Sequence, residues 1–399
     1  MKDLLPYLVT VLYLWNYILY ANCKDHGIGY FWHITDIHAD QNYSRTGNPS
    51  NLCHDEYSSY PDNGLYGNFL CDSPQYLVNV TIKSMKDIYP TPDFIIWTGD
   101  NLPHTLKFDP DWNVVFEAIN NITELLISAF PDVPVFPSIG NHDTFPPNVV
   151  LPNETSYSIY DGYLKKGGWD KLLPKTAWST FLKGGFYSIL VRPNLRIISL
   201  NTILWYTPNN MTSGLIDPAY QFEWLEMVLK NSSKFSEKVY LIGHVPPGYY
   251  NRVEHRELSS PTYHPQYLEM YLQIILQYHE IILGQLYGHL HMDMFQLFQS
   301  DNGIFRGSSL LAASVTPWHY IDEYNVSLPV NPSIRLMQYY QNNGVLKDFN
   351  QFYLNLTKAN DLNKTTEDKK NLYELLYSFA NFYGVIDLST ESLVKVYAK

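Results

Sequence analysis

Five short segments carry carboxylate, imidazole and amide side chains at spacings that suit a hydrolytic metal site. They are Asp36-Ile37-His38, Gly99-Asp100-Asn101, Gly140-Asn141-His142-Asp143, Gly243-His244 and Gly288-His289-Leu290-His291. The donors are oxygen and nitrogen with no thiolate, which suits zinc, iron or manganese. Asp36 and His38 are two residues apart, as are His289 and His291, so each pair faces one way in an extended segment. Glycine at 99, 140, 243 and 288 lets the backbone turn tightly before the next side chain. Two cations about 3.5–4 Å apart need a shared carboxylate. Asp100 is the best placed, because it follows a central strand. One such segment alone is usually structural, since buried Asp and His commonly serve as satisfied hydrogen-bonders. Five in one chain, each after a strand signal, form a far more specific pattern.

The elements that must position these segments follow from periodicity and punctuation. Gly29 to Thr35 is an apolar, aromatic run that ends at Asp36 and predicts a buried strand. A helical pattern runs from Ser73 to Ile88, and Pro90 and Pro92 break it. Asp93–Thr98 reads as a strand, Asp111–Phe130 as a helix and Val133–Ser138 as a strand. This β-α-β-α-β opening implies parallel strands. Further strands are expected at Arg196–Leu200, Lys238–Ile242 and Ile281–Tyr287. Helices are expected from Asp217 to Lys230, where Asp217 and Pro218 form a start signal, and from Gln266 to His279. After Met292 the pattern turns to β, through Phe295–Phe298, Leu310–Ser314, Ile334–Tyr340 and Leu346–Leu356. From Asp368 to Tyr383, Leu372, Leu375, Leu376, Phe379 and Phe382 recur at helical spacing, and Gly384 would stop that helix. Asp40–Gln75 is rich in Pro, Gly and Ser and reads as a long loop. Open α/β sheets form ligand sites at the carboxyl ends of their strands, so all five motif segments can converge on one rim.

Composition bounds the rest. The chain has 399 residues, 45% apolar and 17% charged, which is globular and long enough for one large α/β domain. Its net charge of -12 argues against a nucleic-acid groove, which needs clustered Lys and Arg. An anionic phosphate site on so acidic a chain needs local positive charge, and bound metal ions supply it. Residues 1–23 read as a signal peptide: Lys2, an apolar stretch from Leu4 to Ala21, then small residues at Ala21 and Cys23. A signal anchor is the rival, and the Tyr, Trp and Asn within the stretch weigh against it. No later segment is long and apolar enough to span a bilayer. Sequons at Asn42, Asn79, Asn121, Asn153, Asn210, Asn231, Asn325, Asn355 and Asn363 favour the secretory route. Cleavage after Cys23 leaves Cys53 and Cys71, an even pair expected to be bridged in an oxidising compartment.

In this order the five motifs resemble the calcineurin-like metallophosphoesterases. Longer runs are similar to the acid sphingomyelinase-like phosphodiesterases: Phe31-Trp32-His33-Ile34-Thr35-Asp36, Trp97-Thr98-Gly99-Asp100, Lys183-Gly184-Gly185-Phe186-Tyr187 and Ser199-Leu200-Asn201-Thr202. So are Gln221-Phe222-Glu223-Trp224-Leu225, Gly243-His244-Val245-Pro246-Pro247-Gly248, Val315-Thr316-Pro317-Trp318 and Asn331-Pro332-Ser333-Ile334-Arg335. The resemblance implies a four-layer α/β/β/α sandwich: a catalytic domain over 24–357, with a C-terminal helical segment, 358–399, packed on it. It implies two divalent metal ions, zinc being expected. Asp36, His38, Asp100 and His291 would hold one, and Asp100, Asn141, His244 and His289 the other. His142 resembles the family's general acid and His104 a histidine close to the phosphate. Asp143 is expected to orient a neighbour. His33 and His279 are expected to be structural, and His54 and His319 have no motif behind them. Neither a saposin-like Cys-rich segment ahead of the catalytic region nor a lipid anchor is expected.

The function so implied is that of a secreted di-metal phosphodiesterase hydrolysing phosphodiester or phosphoanhydride bonds by attack of a metal-bridging hydroxide. Its substrates would be small phosphodiesters, nucleotides or phospholipid head groups, and the chain would be a monomer. Two alternatives stand beside it. One is a phospho-ligand binding protein with little turnover. The other is a phosphomonoesterase, although no Tyr follows the Gly99-Asp100 motif as a purple acid phosphatase would require.

Overall fold

The computed structural model of the chain describes residues 27–55, 62–104, 111–152, 156–249, 260–321, 327–362 and 372–399. Strand β1 (Ile28–Ile34) has Phe31 and Trp32 on opposite faces, both fully buried. A strand apolar on both faces belongs inside a sheet that is covered on both sides. Helix α1 (Gln75–Ile88), strand β2 (Phe94–Trp97), helix α2 (Trp112–Ala129) and strand β3 (Val135–Pro137) follow. Asp111 caps α2 by accepting from the N–H groups of Asn113 and Val114. Strands β1, β2 and β3 pair in parallel, as the opening pattern predicts.

Helices α3 (Tyr157–Lys165) and α4 (Lys175–Gly184) lead to the antiparallel pair β4 (Tyr187–Arg192) and β5 (Leu195–Ser199). Then come α5 (Gln221–Lys234), β6 (Lys238–Ile242), α6 (Pro265–Gln277), β7 (Ile282–Tyr287), β8 (Met294–Gln299) and β9 (Phe305–Leu311). The described chain ends with β10 (Ser333–Tyr340), β11 (Leu346–Leu354), α7 (Leu356–Leu362), β12 (Tyr373–Ser378), α8 (Phe379–Tyr383) and α9 (Thr390–Tyr397).

Two mixed six-stranded sheets result, in the orders β12-β11-β10-β1-β2-β3 and β8-β9-β7-β6-β5-β4. They face each other. The rings of Phe31 and Tyr240 are 5.9 Å apart, and the Tyr187 hydroxyl donates to the Pro137 carbonyl at 2.7 Å. Trp32 points the other way and donates its indole N–H to the Tyr89 carbonyl beyond α1, with α2 packed beside that helix. On the far side of the second sheet, α5 packs on β6, and Tyr271 of α6 bonds to Gln285 and Tyr287 of β7. Helix, sheet, sheet and helix thus make the expected four-layer sandwich.

One expectation fails. Within the segment Asp368–Tyr383, read as one helix, the described residues form strand β12 and only then the short helix α8. The apolar spacing there fits either conformation. The free edge of β11 decides it, because pairing satisfies a row of backbone groups that would otherwise stay open. Asp348 of β11 also accepts the Ala380 N–H at 2.7 Å and fixes the start of α8. Leu375 and Leu376, expected on a buried face, are 55% and 56% exposed. Helices α8 and α9 do close the chain.

Cys53 and Cys71 are joined by a disulfide, with Cα atoms 5.7 Å apart. Asn42, Asn79, Asn121, Asn210, Asn231 and Asn355 are all at least partly exposed. The signal segment and the sequons at Asn153, Asn325 and Asn363 lie outside the described residues. No helix among the described residues is long and apolar enough to cross a membrane.

His33 is buried in β1, with Nε2 3.1 Å from the Thr98 hydroxyl. Burial, followed by the positive charge of Arg335, lowers its pKa from 6.5 to about 3. Between those values the unfolded chain binds a proton here and the native chain does not, so stability falls as the pH drops through this window. Replacing His33 with Gln is expected to flatten the acid limb of the stability–pH curve, by up to about 1.4 kcal/mol per pH unit. Chemical denaturation at a series of pH values between 6.5 and 3 measures this. An unchanged slope would remove His33 as the source of acid sensitivity.

Candidate metal centre

Each motif segment begins at the carboxyl end of a parallel strand. Asp36 and His38 follow β1, Asp100 follows β2, and Asn141 and His142 follow β3. His244 follows β6, and His289 and His291 follow β7. Three segments therefore come from one sheet and two from the other, and the opposing sheets bring them together.

Their atoms form two overlapping groups. In the first, His38 Nε2 lies 3.3 Å from His291 Nε2, 3.9 Å from Asp36 Oδ1 and 3.5 Å from Asp100 Oδ2. His291 Nε2 lies 3.2 Å from Asp36 Oδ1. In the second, Asn141 Oδ1 is 2.9 Å from both His244 Nε2 and His289 Nδ1. His244 Nε2 is also 3.1 Å from Asp100 Oδ2. Asp100 Oδ2 thus belongs to both groups.

The opposite ring nitrogens fix what these atoms can do. His38 Nδ1 lies 2.6 Å from the Leu102 carbonyl, and His244 Nδ1 lies 2.7 Å from the Thr98 carbonyl. A carbonyl only accepts, so both Nδ1 atoms carry the proton and a neutral ring turns its Nε2 lone pair inward. His289 is turned the other way, with Nε2 3.3 Å from the Tyr206 hydroxyl and Nδ1 toward Asn141. Lone pairs of oxygen and nitrogen then face one another at hydrogen-bonding distance. Divalent cations satisfy such a set, and the mixed imidazole, carboxylate and amide donors fit two of them.

The local field agrees. Burial opposes ionisation of Asp36 and Asp100, yet the surrounding imidazoles hold both below the usual carboxylate range, Asp100 well below. Burial also works against charge on His244, and Asp100 with Asp36 overcomes it, pushing that ring up to about 9. A field this negative draws cations.

The backbone bends at the donors themselves. Asp36, His38, Asp100, His289 and His291 have φ of 51°, 42°, 59°, 70° and 59°. This left-handed region is uncommon for residues other than glycine, although Asp and His tolerate it better than most. Of the four motif glycines, Gly99 shares it, at 87°. Gly140 is needed for space, because a Cβ there would lie 2.1 Å from Asp100 Oδ1.

His142 donates its backbone N–H to Asp100 Oδ1 at 2.8 Å, and its ring centroid lies 4.7 Å from that of His104. The His104 ring is stacked on His38 at 4.0 Å and on Trp318 at 5.0 Å. Asp143 accepts the N–H groups of Asp100 and Gly140 at 2.9 Å and of Asn101 at 2.7 Å. It therefore orients the loops and does not face the donors. Burial and the nearby Asp100 push Asp143 up to about 6. His54 is bonded to Asp40, His319 to the Phe69 carbonyl and His279 to the Leu276 carbonyl. Sequence reasoning missed Asp72, which holds His104, and Tyr206, which faces His289. Asp72 had one signal, its place directly after Cys71.

A family model described as calcineurin-like phosphoesterase matches residues 29–293, and one described as the acid sphingomyelin phosphodiesterase C-terminal region matches residues 307–399. The chain is 39% identical to the human cyclic GMP-AMP phosphodiesterase SMPDL3A and 36% identical to the human acid sphingomyelinase-like phosphodiesterase 3b. Each match covers 92% of this chain and 78% of the relative. It is 35% identical to the sphingomyelinase phosphodiesterase C of Dictyostelium discoideum, over 99% of this chain and 87% of that one.

Asp143→Asn would leave a single acceptor oxygen for three backbone N–H groups and the Asn101 side-chain amide, and turn an amide N–H toward them. Metal retention is expected to weaken by about 10–100-fold. Elemental analysis after dialysis against graded chelator measures this, and retention equal to the parent's would deny Asp143 its orienting role.

Proposed function

The chain belongs to the calcineurin-like phosphoesterase family, and from that premise we propose a metal-dependent phosphodiesterase with the following division of roles. Asp36, His38, Asp100 and His291 hold one cation, and Asp100, Asn141, His244 and His289 the other. The observation that carries this reading is Asp100 Oδ2, which stands 3.5 Å from His38 Nε2 and 3.1 Å from His244 Nε2. When bound, two divalent ions, zinc in our reading, supply Lewis-acid charge and a nucleophilic oxygen from water near neutral pH.

The chain's own residues bind the substrate and move the proton. His142 is tied through its backbone to Asp100, and its ring packs edge-on against those of His38 and His104, beside the donor groups. In the free site burial lowers its pKa to about 4. An arriving phosphodiester anion favours the protonated ring, which then donates to the leaving alkoxide oxygen. His104, held by Asp72, supplies a second donor to the phosphoryl group.

The relatives' names point to two sources of phosphodiester, a sphingolipid head group and a cyclic dinucleotide. We propose a small phosphodiester of this kind, met by a secreted, glycosylated chain.

His142→Ala is expected to keep both metals and to lose about 10²–10⁴-fold in kcat on alkyl phosphodiesters, with a much smaller loss on a nitrophenyl diester. Asp100→Ala is expected to lose metal, read by elemental analysis. The metal-loaded chain should release nitrophenol from a bis-ester and not from a monoester. Sphingomyelin vesicles and a cyclic dinucleotide then separate the two sources. Hydrolysis of the monoester alone would make the chain a phosphomonoesterase. Metal binding with no turnover of any ester would leave only a phospho-ligand binder.

A further inference from the structure

Beside the seven expected ligands lies a tightly constrained pair, Asp72 and His104. Asp72 is buried and spends both oxygens on one residue. Its Oδ2 accepts the His104 backbone N–H at 2.8 Å, and its Oδ1 lies 2.8 Å from His104 Nδ1. The ring is stacked on His38 with planes 21° apart and on Trp318 with planes 28° apart. A carboxylate only accepts, so Nδ1 carries a proton and Nε2 is the nitrogen left for a substrate.

Asp72 is anchored in turn. It directly follows Cys71, which is bridged to Cys53. Cys53 is followed by His54, a buried residue whose Nε2 lies 2.7 Å from Asp40 Oδ2. Asp40 is two residues beyond His38. Ala39-Asp40 pairs in parallel with Ser73-Pro74, and the Ser73 N–H donates to the His38 carbonyl at 3.0 Å. The disulfide therefore links two acid–imidazole pairs next to the segment that carries His38: Asp40–His54, buried, and Asp72–His104, whose carboxylate is buried and whose ring is partly exposed.

The geometry points to Asp72 as the positioning residue for His104, held in register by the Cys53–Cys71 disulfide, so that the bridge supports turnover as well as stability. This rests on the phosphodiesterase reading, in which His104 acts on the phosphoryl group. A bridge that only stabilised the fold would sit equally well anywhere in the loop and would leave Asp72 replaceable.

The test compares Asp72→Asn, the double variant Cys53→Ser with Cys71→Ser, and the triple variant. Asn keeps the size of Asp but offers one acceptor and turns an amide N–H2 against one of the two His104 donors. Asp72→Asn is expected to lower kcat on an alkyl phosphodiester by about 10–100-fold, with both metals retained. KM should stay within about twofold, and Asp72→Glu should recover part of the loss. The double cysteine variant should lower kcat by less, and the triple variant should be no worse than Asp72→Asn, because both changes act through one contact. Unchanged kcat in Asp72→Asn would overturn the positioning role, and additive losses in the triple variant would overturn the link to the disulfide. If the cysteine variant does not fold, reduction of the folded parent with a phosphine replaces it. NMR of nitrogen-labelled histidine supplies a readout independent of turnover. The His104 Nδ1–H signal should disappear in Asp72→Asn and weaken on reduction. If the parent hydrolyses no diester, the functional reading fails by itself, while an Nδ1–H signal indifferent to both changes would sink the positioning inference.

Discussion

Seven side-chain atoms that can offer lone pairs are gathered into two overlapping groups that share Asp100 Oδ2, and positive charge, as protons or as cations, must lie among them. Two nitrogens have their protons fixed on the outer side of the ring by the Leu102 and Thr98 carbonyls, so they turn acceptors inward. Carboxylates at 36 and 100 and the Asn141 amide oxygen do the same. Such a cluster is unstable unless positive charge lies among its members. The rest of the molecule can be read as the apparatus that imposes this convergence. Two sheets supply the donors from opposite sides, and Thr98, at the end of β2 in the first sheet, supplies the carbonyl that orients His244 beyond β6 in the second. The centre is thus also a joint between the two layers.

The backbone bears part of the cost. Five of the seven donors sit in left-handed conformations, each unfavourable for a residue with a side chain by roughly 1–3 kcal/mol. Sequence reading assigned the tight turns to the glycines, and only Gly99 of the four motif glycines turns this way. At Gly140 and Gly288 the requirement is space, because a Cβ at 288 would lie 1.9 Å from the Thr35 hydroxyl oxygen. The glycines let loops from neighbouring strands nearly touch. The donors accept the strain because surrounding hydrogen bonds over-determine their geometry: Ile37 and His38 N–H groups both donate to the Asp100 carbonyl, at 2.8 and 3.0 Å.

The layers and the donor set were legible because both are written in local pattern. Strand β1 reads as buried on both faces, α1 and α2 carry helical periodicity between clear breaks, and every donor follows a strand at short range. What could not be read depends on pairing across distance. The apolar spacing near Leu375 fits a helix as well as a strand, and only the open edge of β11 selects the strand. Asp72 carries no motif, and its role arises from a contact with His104 across a disulfide-closed loop. Tyr206 meets His289 from 83 residues away, and no motif marks the tyrosine.

The place of β1 bears on how the molecule is made. It leaves the ribosome ahead of every other described strand, yet it ends between β2 and β10, with β10, β11 and β12 all added late. The His289 N–H that closes on Asp36 comes from 253 residues downstream. During synthesis one edge of a largely apolar strand therefore stays uncovered until Ser333–Tyr340 has emerged, a long exposure to mispairing. Cys53 and Cys71, only 18 positions apart, emerge close together and soon after β1. Oxidation of that pair gives the growing chain an early covalent foothold beside the first two donors, long before the sheet that will shelter them is complete.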